Sequence, residues 1–427
     1  MIKGTRIKYL TWLTLACLPV SSLWAQKADL TQMIVLGEGL SAGFADFQLR
    51  EVYQTNSFPA LVAKQAKVLF LQPLIQAPGL GWVPGFPTLP ALVPNTLQDT
   101  VRVPAAAAVT TRPKAQPQQN LFIFNVSIPN ATVSDVLRRR AALPLIQQDV
   151  QQTTVNMILG FPGLATGPNK PGWTQLEYAE LMRPTFAIIS LGYSDVLPAA
   201  AVGDPSLLPS LSAFKADYAT IMAGMKTTFA QTLVVNIPDP VDTAYYSTLT
   251  AASRLLLASP AQLASLYNLK ADDQITIPGL TAMGTQIANG RIGPLPAGSI
   301  VSAASVTAIR NAVSVLNTEI ASQAQASGYQ VYDVRALFAS LKNTTYYAAT
   351  GQALTADYLG GLYSLSGFYP GSTVQAMIAN DIITLINKSY GGAIPTLSVD
   401  AVLAQDPAAR VFYNRTRPRP VNGGGNR

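Results

Sequence analysis

Short, mainly apolar runs alternate along this chain with longer stretches in which apolar residues return every three or four positions. Residues 33–36, 121–126, 186–191, 232–237 and 329–334 have the length and the β-branched or aromatic content of strands buried on both faces. Between them, Phe214, Tyr218, Ile221, Met222 and Met225 fall on one face of a helix, and Val306, Ile309, Val313, Leu316 and Ile320 do the same. A last amphipathic helix is expected over 374–390, stopped by Gly391-Gly392. Strands alternating with helices predict parallel βαβ units. The expected fold is therefore a three-layer α/β/α domain with a mostly parallel sheet of about five strands.

Two stretches interrupt that alternation. Residues 72–118 hold nine prolines with Trp82 and Phe86, too many for a central strand or helix, and read as an ordered excursion across the top of the sheet. Residues 243–300 read as one helix over 248–267 followed by a Gly/Pro-rich return. Neither has an apolar pattern that would make a core of its own. One domain over 26–392 with two insertions, then an extension over 393–427, is the organisation expected; no internal repeat occurs.

The first 25 residues carry Lys3, Arg6 and Lys8, an apolar run over 9–19, and Ser21, Ser22 and Ala25, the layout of a secretory signal peptide cleaved after Ala25. The expected address is secreted, periplasmic or outer-membrane-associated. Cys17, the only cysteine, makes a lipoprotein signal acylated at that residue the competing reading, although Thr14 stands where such signals usually have leucine. No later run is long enough for a transmembrane helix. Without Cys17 the chain has neither a disulfide framework nor a cysteine metal site.

Net charge is +7, but three of the 29 cations lie in the leader and five in the last eighteen residues, leaving 21 against all 22 carboxylates. The body is nearly neutral, so no nucleic-acid partner is expected. Arg138, Arg139 and Arg140 read as a solvated helix end. The tail from Arg415 onward is Pro, Gly and Arg, which predicts disorder and loose attraction to an anionic envelope surface.

The chain contains no histidine, which removes the usual general base at neutral pH and with it ordinary Ser-His or Cys-His chemistry. Asp272-Asp273, and Asp239 with Asp242, read as loop carboxylates, and no cofactor or metal is expected. No dinucleotide or phosphate-loop fingerprint occurs. Composition alone leaves a paired-carboxylate glycosidase open.

In open α/β sheets, chemistry sits just beyond the carboxyl ends of the strands. There the chain reads Gly37-Glu38-Gly39-Leu40-Ser41-Ala42-Gly43, then Ser127-Ile128-Pro129-Asn130, then Gly192-Tyr193-Ser194-Asp195, and before the last helix it reads Ser364-Leu365-Ser366-Gly367-Phe368-Tyr369-Pro370. These four blocks, in order over residues 32–390, resemble those of the GDSL or SGNH hydrolases. The resemblance implies a flavodoxin-like α/β/α fold and an ester-hydrolase ancestry. It aligns the family's nucleophile with Gly39, the oxyanion glycine with Asn130, the oxyanion asparagine with Ser194, the triad acid with Ser366 and the base with Tyr369.

Every catalytic position is thus substituted. The reading is a secreted binding or scaffold protein without esterase activity, its cleft lined by Glu38, Gly39, Ser41, Asn130, Gly192, Tyr193, Ser194, Asp195, Ser366 and Tyr369. An acyl ester, lipid or glycan is the ligand class implied. One alternative is an ester hydrolase with relocated machinery, using Ser41 with Glu38, Asp46 or Asp195 as base. The other is a structural component of the cell envelope.

Overall fold

A computed structural model describes residues 27–77, 79–86, 122–164 and 172–410. The leader with Cys17, most of the Pro-rich excursion and the Arg-rich tail lie outside the described residues. Along the chain, β1 (Met33–Gly37) leads into α1 (Gly39–Ala42), α2 (Glu51–Gln54) and α3 (Phe58–Ala66). Then come α4 (Val133–Arg138), α5 (Val150–Leu164), α6 (Gln175–Leu181), β2 (Phe186–Ser190), α7 (Tyr193–Val202), α8 (Leu211–Thr227) and β3 (Gln231–Val235). The second insertion supplies β4 (Tyr246–Ser247), α9 (Leu249–Leu256), α10 (Pro260–Tyr267), β5 (Gln274–Thr276), α11 (Ile277–Ala288) and β6 (Ile300–Val301). The chain closes with α12 (Ala303–Ser327), β7 (Gln330–Tyr332), α13 (Val334–Asn343), β8 (Tyr346–Tyr347), β9 (Ala353–Leu354), α14 (Ser372–Ser389) and α15 (Val399–Leu403).

The fold is mixed α/β around a parallel sheet of order β1-β2-β3-β7, in which Val35 lies opposite Ile188 and Ile188 opposite Leu233. Every residue of β1 and β2 is buried, which is why these runs show no alternation: both faces of the sheet are covered. Helix α3 packs on α14, while α8 packs on α4, α6 and α12. The apolar faces expected of α8 and α12 are the buried ones.

Four expectations need correction. The sheet has four regular strands among the described residues, not five, because the second apolar run makes only a bridge between Asn125 and Val35. Val126 N–H donates to Val35 and Ile128 N–H to Gly37, but on this outer side the Val126 carbonyl accepts from the Gln175 side chain instead of another strand. The helix expected over 248–267 is two helices, broken at Leu257 in the left-handed region, after which Ser259 caps a new start with Pro260 in its first turn. The Gly/Pro-rich return contains α11, whose Pro278 sits in the first turn where its missing N–H has no helical partner to lose. With β4, β5 and β6 this insertion forms a small antiparallel sheet.

The extension is also more ordered than its tail suggests, since residues 393–410 fold back on α14. Buried Asp406 accepts from the Thr373 N–H and from its hydroxyl, both at 2.7 Å, capping the start of α14. That end has no side-chain cap of its own at Gly371. Arg138, Arg139 and Arg140 close α4, pairing with Asp217, with Asp135 and Asp149, and with Glu177. Among the described residues no helix is long and apolar enough to cross a membrane.

Candidate functional site

Three loops meet at the carboxyl ends of β1 and β2, and a buried carboxylate joins them. Glu38 follows β1 with extended backbone and caps α1, one carboxylate oxygen accepting from the Leu40 N–H at 3.0 Å. The other oxygen accepts from the Ser194 hydroxyl at 2.8 Å and from the Tyr369 hydroxyl at 3.4 Å. Ser194 lies in the first turn of α7, just after β2, and Tyr369 in the loop before α14. Glu38 has almost no contact with solvent, and this burial raises its carboxyl to about 7 against the pull of its hydrogen bonds.

Tyr369 is fully buried, with its ring edge-on to Phe44 and Tyr193 at centroid distances of 5.1 and 5.8 Å. A β-carbon on Gly39 would lie 2.6 Å from the tyrosine oxygen and 2.7 Å from its ring. The phenol therefore fills the volume into which any side chain at position 39 would project. Burial drives its pKa well above the usual phenol value, so it donates to Glu38 and accepts no proton.

Ser41 is also fully buried. Its hydroxyl donates to the Glu38 backbone carbonyl at 3.2 Å and lies 2.8 Å from the Ser127 hydroxyl, with no carboxylate among these partners. It is a turn hydroxyl inside a polar seam that sequence reasoning missed. Asn125 donates to the Ser41 carbonyl, and Gln175 donates to the carbonyls of Gly37 and Val126. The capping box Thr174-x-x-Glu177 marks a helix start at Gln175 in the sequence, but not where that amide reaches.

The remaining positions divide between rim and interior. Asn130 stands at φ +60, so the left-handed backbone that a glycine would favour is kept. Its side chain donates to the Trp82 carbonyl at 2.7 Å. Gly192 needs its glycine: φ is +108, and a β-carbon would meet Ile237 at 2.7 Å. The neighbouring Tyr193 donates from its hydroxyl to the Phe368 carbonyl. Asp195 accepts from the Val133 N–H, and desolvation, with the nearby Asp135 and Glu38 charges, raises it to about 7. Ser366 is buried beside Ser364 and makes no bond to the Tyr369 side chain. Asp46, the third candidate base, instead accepts from Tyr53 and from the Leu365 N–H and pairs with Arg50, tying the first block to the last.

No protein-family model matches this chain, and no curated protein does. The chemistry must be argued from the residues themselves. Among the described residues no cluster of three His, Cys, Asp or Glu could hold a metal ion. Asp239 and Asp242 pair with Arg310, and Asp273 accepts from the Lys270 N–H, as loop carboxylates do. Ser194 with Glu38 is the one serine-carboxylate contact in the cluster, and neither residue is open to water. The residues expected to line a cleft do converge, but Glu38, Gly39, Ser41, Ser194, Ser366 and Tyr369 form packed interior; Asn130 and Asp195 stay partly exposed.

Proposed function

We propose that this chain is a non-catalytic relative of the SGNH hydrolases that serves as an extracytoplasmic binding or scaffold protein. One observation carries the reading: the Tyr369 phenol occupies the space beside Gly39 where a nucleophile's side chain would have to stand. Two features support the ancestry. Counting the bridged segment at Asn125, the segments cross the sheet in the order 2-1-3-4-5, that of flavodoxin-like doubly wound folds. The four sequence blocks also lie together at the carboxyl edge of that sheet, where such folds place ligands.

A ligand of the acyl, lipid or glycan class would meet the rim, where the carbonyl of half-exposed Trp82 accepts from Asn130, because the centre is filled. An esterase using Ser41 has little in its favour, since that hydroxyl is buried and paired with Ser127. The test is hydrolysis of chromogenic acyl esters of short to long chain by the purified protein and by Ser41→Ala. Neither is expected to exceed the rate without protein. Turnover by the parent that disappears in the variant would overturn the reading and make Ser41 a nucleophile.

A further inference from the structure

In a parallel sheet covered by helices, every strand start and most helix ends share one edge, opposite the site described above. Here that edge is formed by the segment before β1, the α3 end, and the α6–β2, α8–β3 and α14 connections. Hydrogen bonds hold these together: Gln32 donates to the Met182 carbonyl at 2.8 Å, Gln231 N–H to Thr185 at 3.0 Å, and Ala28 N–H to Tyr390 at 2.6 Å. Lys27 and Lys67 flank one cavity of about 390 Å³ on it.

Phe229, in the α8–β3 connection, is 94% exposed and sits at φ +59, a left-handed conformation that a bulky residue rarely adopts. Leu181, at the α6 end, is 55% exposed. Around them stand exposed Lys27, Lys67, Arg183, Lys226 and Lys388, with Asp29 and Glu180 as the carboxylates of the same edge. Among the described residues none of these five cations makes an ion pair, whereas Arg50, Arg138, Arg139, Arg140, Lys215, Arg310 and Arg335 all do. Helix dipoles account for cations near helix ends such as Lys226 and Lys388. They do not account for a strained phenylalanine held in water among those cations.

We propose that this amino-terminal edge docks on an anionic phospholipid bilayer, with Phe229 seated at headgroup depth and the unpaired cations on lipid phosphates. Charge complementarity selects that partner, since cations ringing an exposed aromatic match an anionic surface with an apolar layer beneath it. The chain also enters the fold here, at Lys27. The described residues end near the opposite edge, since Arg410 follows Asp406 at the start of α14. The proposal does not depend on the reading of the site.

The experiment is co-sedimentation of the full chain with vesicles of phosphatidylcholine containing phosphatidylglycerol, and with phosphatidylcholine alone. Binding is expected only to the anionic vesicles and is expected to weaken with salt. Arg183→Glu with Lys226→Glu should reduce partitioning by roughly 25-fold or more, at about fivefold per cation. Phe229→Ser should reduce it about tenfold. Both are surface changes, and an unaltered melting temperature verifies the fold. Truncation after Arg410 should leave partitioning unchanged. In a Phe229→Trp variant, brominated lipid should quench the added fluorescence. Absence of binding, binding that survives the face variants, loss with the tail alone, or no quenching at position 229 would each overturn the proposal.

Discussion

Serine at position 39 would push its side chain into the Tyr369 ring, so Gly39→Ser alone is expected to lower stability by about 1–3 kcal/mol, the usual effect of overpacking. Gly39→Ser with Tyr369→His should recover much of that loss, because imidazole is smaller than phenol. Denaturant titration of the four proteins of the cycle is the check; strictly additive losses would mean that the two positions do not share the space. Glu38 gives a second expectation at this scale. Its folded carboxyl is raised from 4.5 to about 7, so the folded state holds a proton that the unfolded chain releases. Its favourable contribution is complete below about pH 4.5, falls as pH rises through about 7, and changes by roughly 3 kcal/mol across that window. Glu38→Gln should flatten that part of the stability-pH curve, measured from pH 4 to 8, and a curve of unchanged slope would refute the assignment. The identities at these positions are plain in the sequence. That phenol fills the hole beside Gly39, and that Asn130 keeps a left-handed backbone, depend on volumes and dihedral angles which block matching does not carry.

Among the elements, the start of α14 depends on a residue far along the chain. Asp406→Ala would leave the Thr373 N–H and hydroxyl without their buried partner and should cost about 2 kcal/mol or more, since a buried donor loses a charged acceptor. Asp406→Asn keeps an acceptor and should lose less; equal losses, read as shifts in melting temperature, would count against the cap. The same long-range closure explains what was hidden. Strands β1, β2 and β3 were legible as short continuous apolar runs, because both their faces are covered, and helices α8 and α12 because burial of one face recurs every three or four residues. The break at Leu257 was not read: Ser259-Pro260 signals a helix start, but the apolar content on both sides obscured it. The return of residues 393–410 was not legible, because scattered contacts bring it back: Asp406 on Thr373, the Asn380 and Asn387 side chains on Leu397 and Ile394, and buried Leu403.

For the molecule as a whole, the four blocks give a construction test. Gly39→Ser, Ser194→Asn, Ser366→Asp and Tyr369→His together should produce esterase turnover above the parent, since the backbone at Asn130 already has the glycine-like conformation. A folded but inert quadruple variant would weigh against the correspondence of blocks, for histidine at 369 and aspartate at 366 must then be out of reach of each other. That the blocks converge at one sheet edge was legible from the placement of three after apolar runs and of the fourth before the last helix. That they form interior and not cleft was invisible, because it turns on whether side chains from three loops close the gap between them.

The capping of α14 by Asp406 also has a consequence for how the protein is made. Thirty-three residues separate Thr373 from its partner. At synthesis rates of roughly 5–20 residues per second, the newly made helix spends seconds with its first turn unsatisfied before the chain that completes it appears. Until then the start of α14 is an open end that a protease or chaperone can engage, so the last step of biogenesis is a clasp fastened from the rear, and a message truncated short of codon 406 would yield a product that never fastens it.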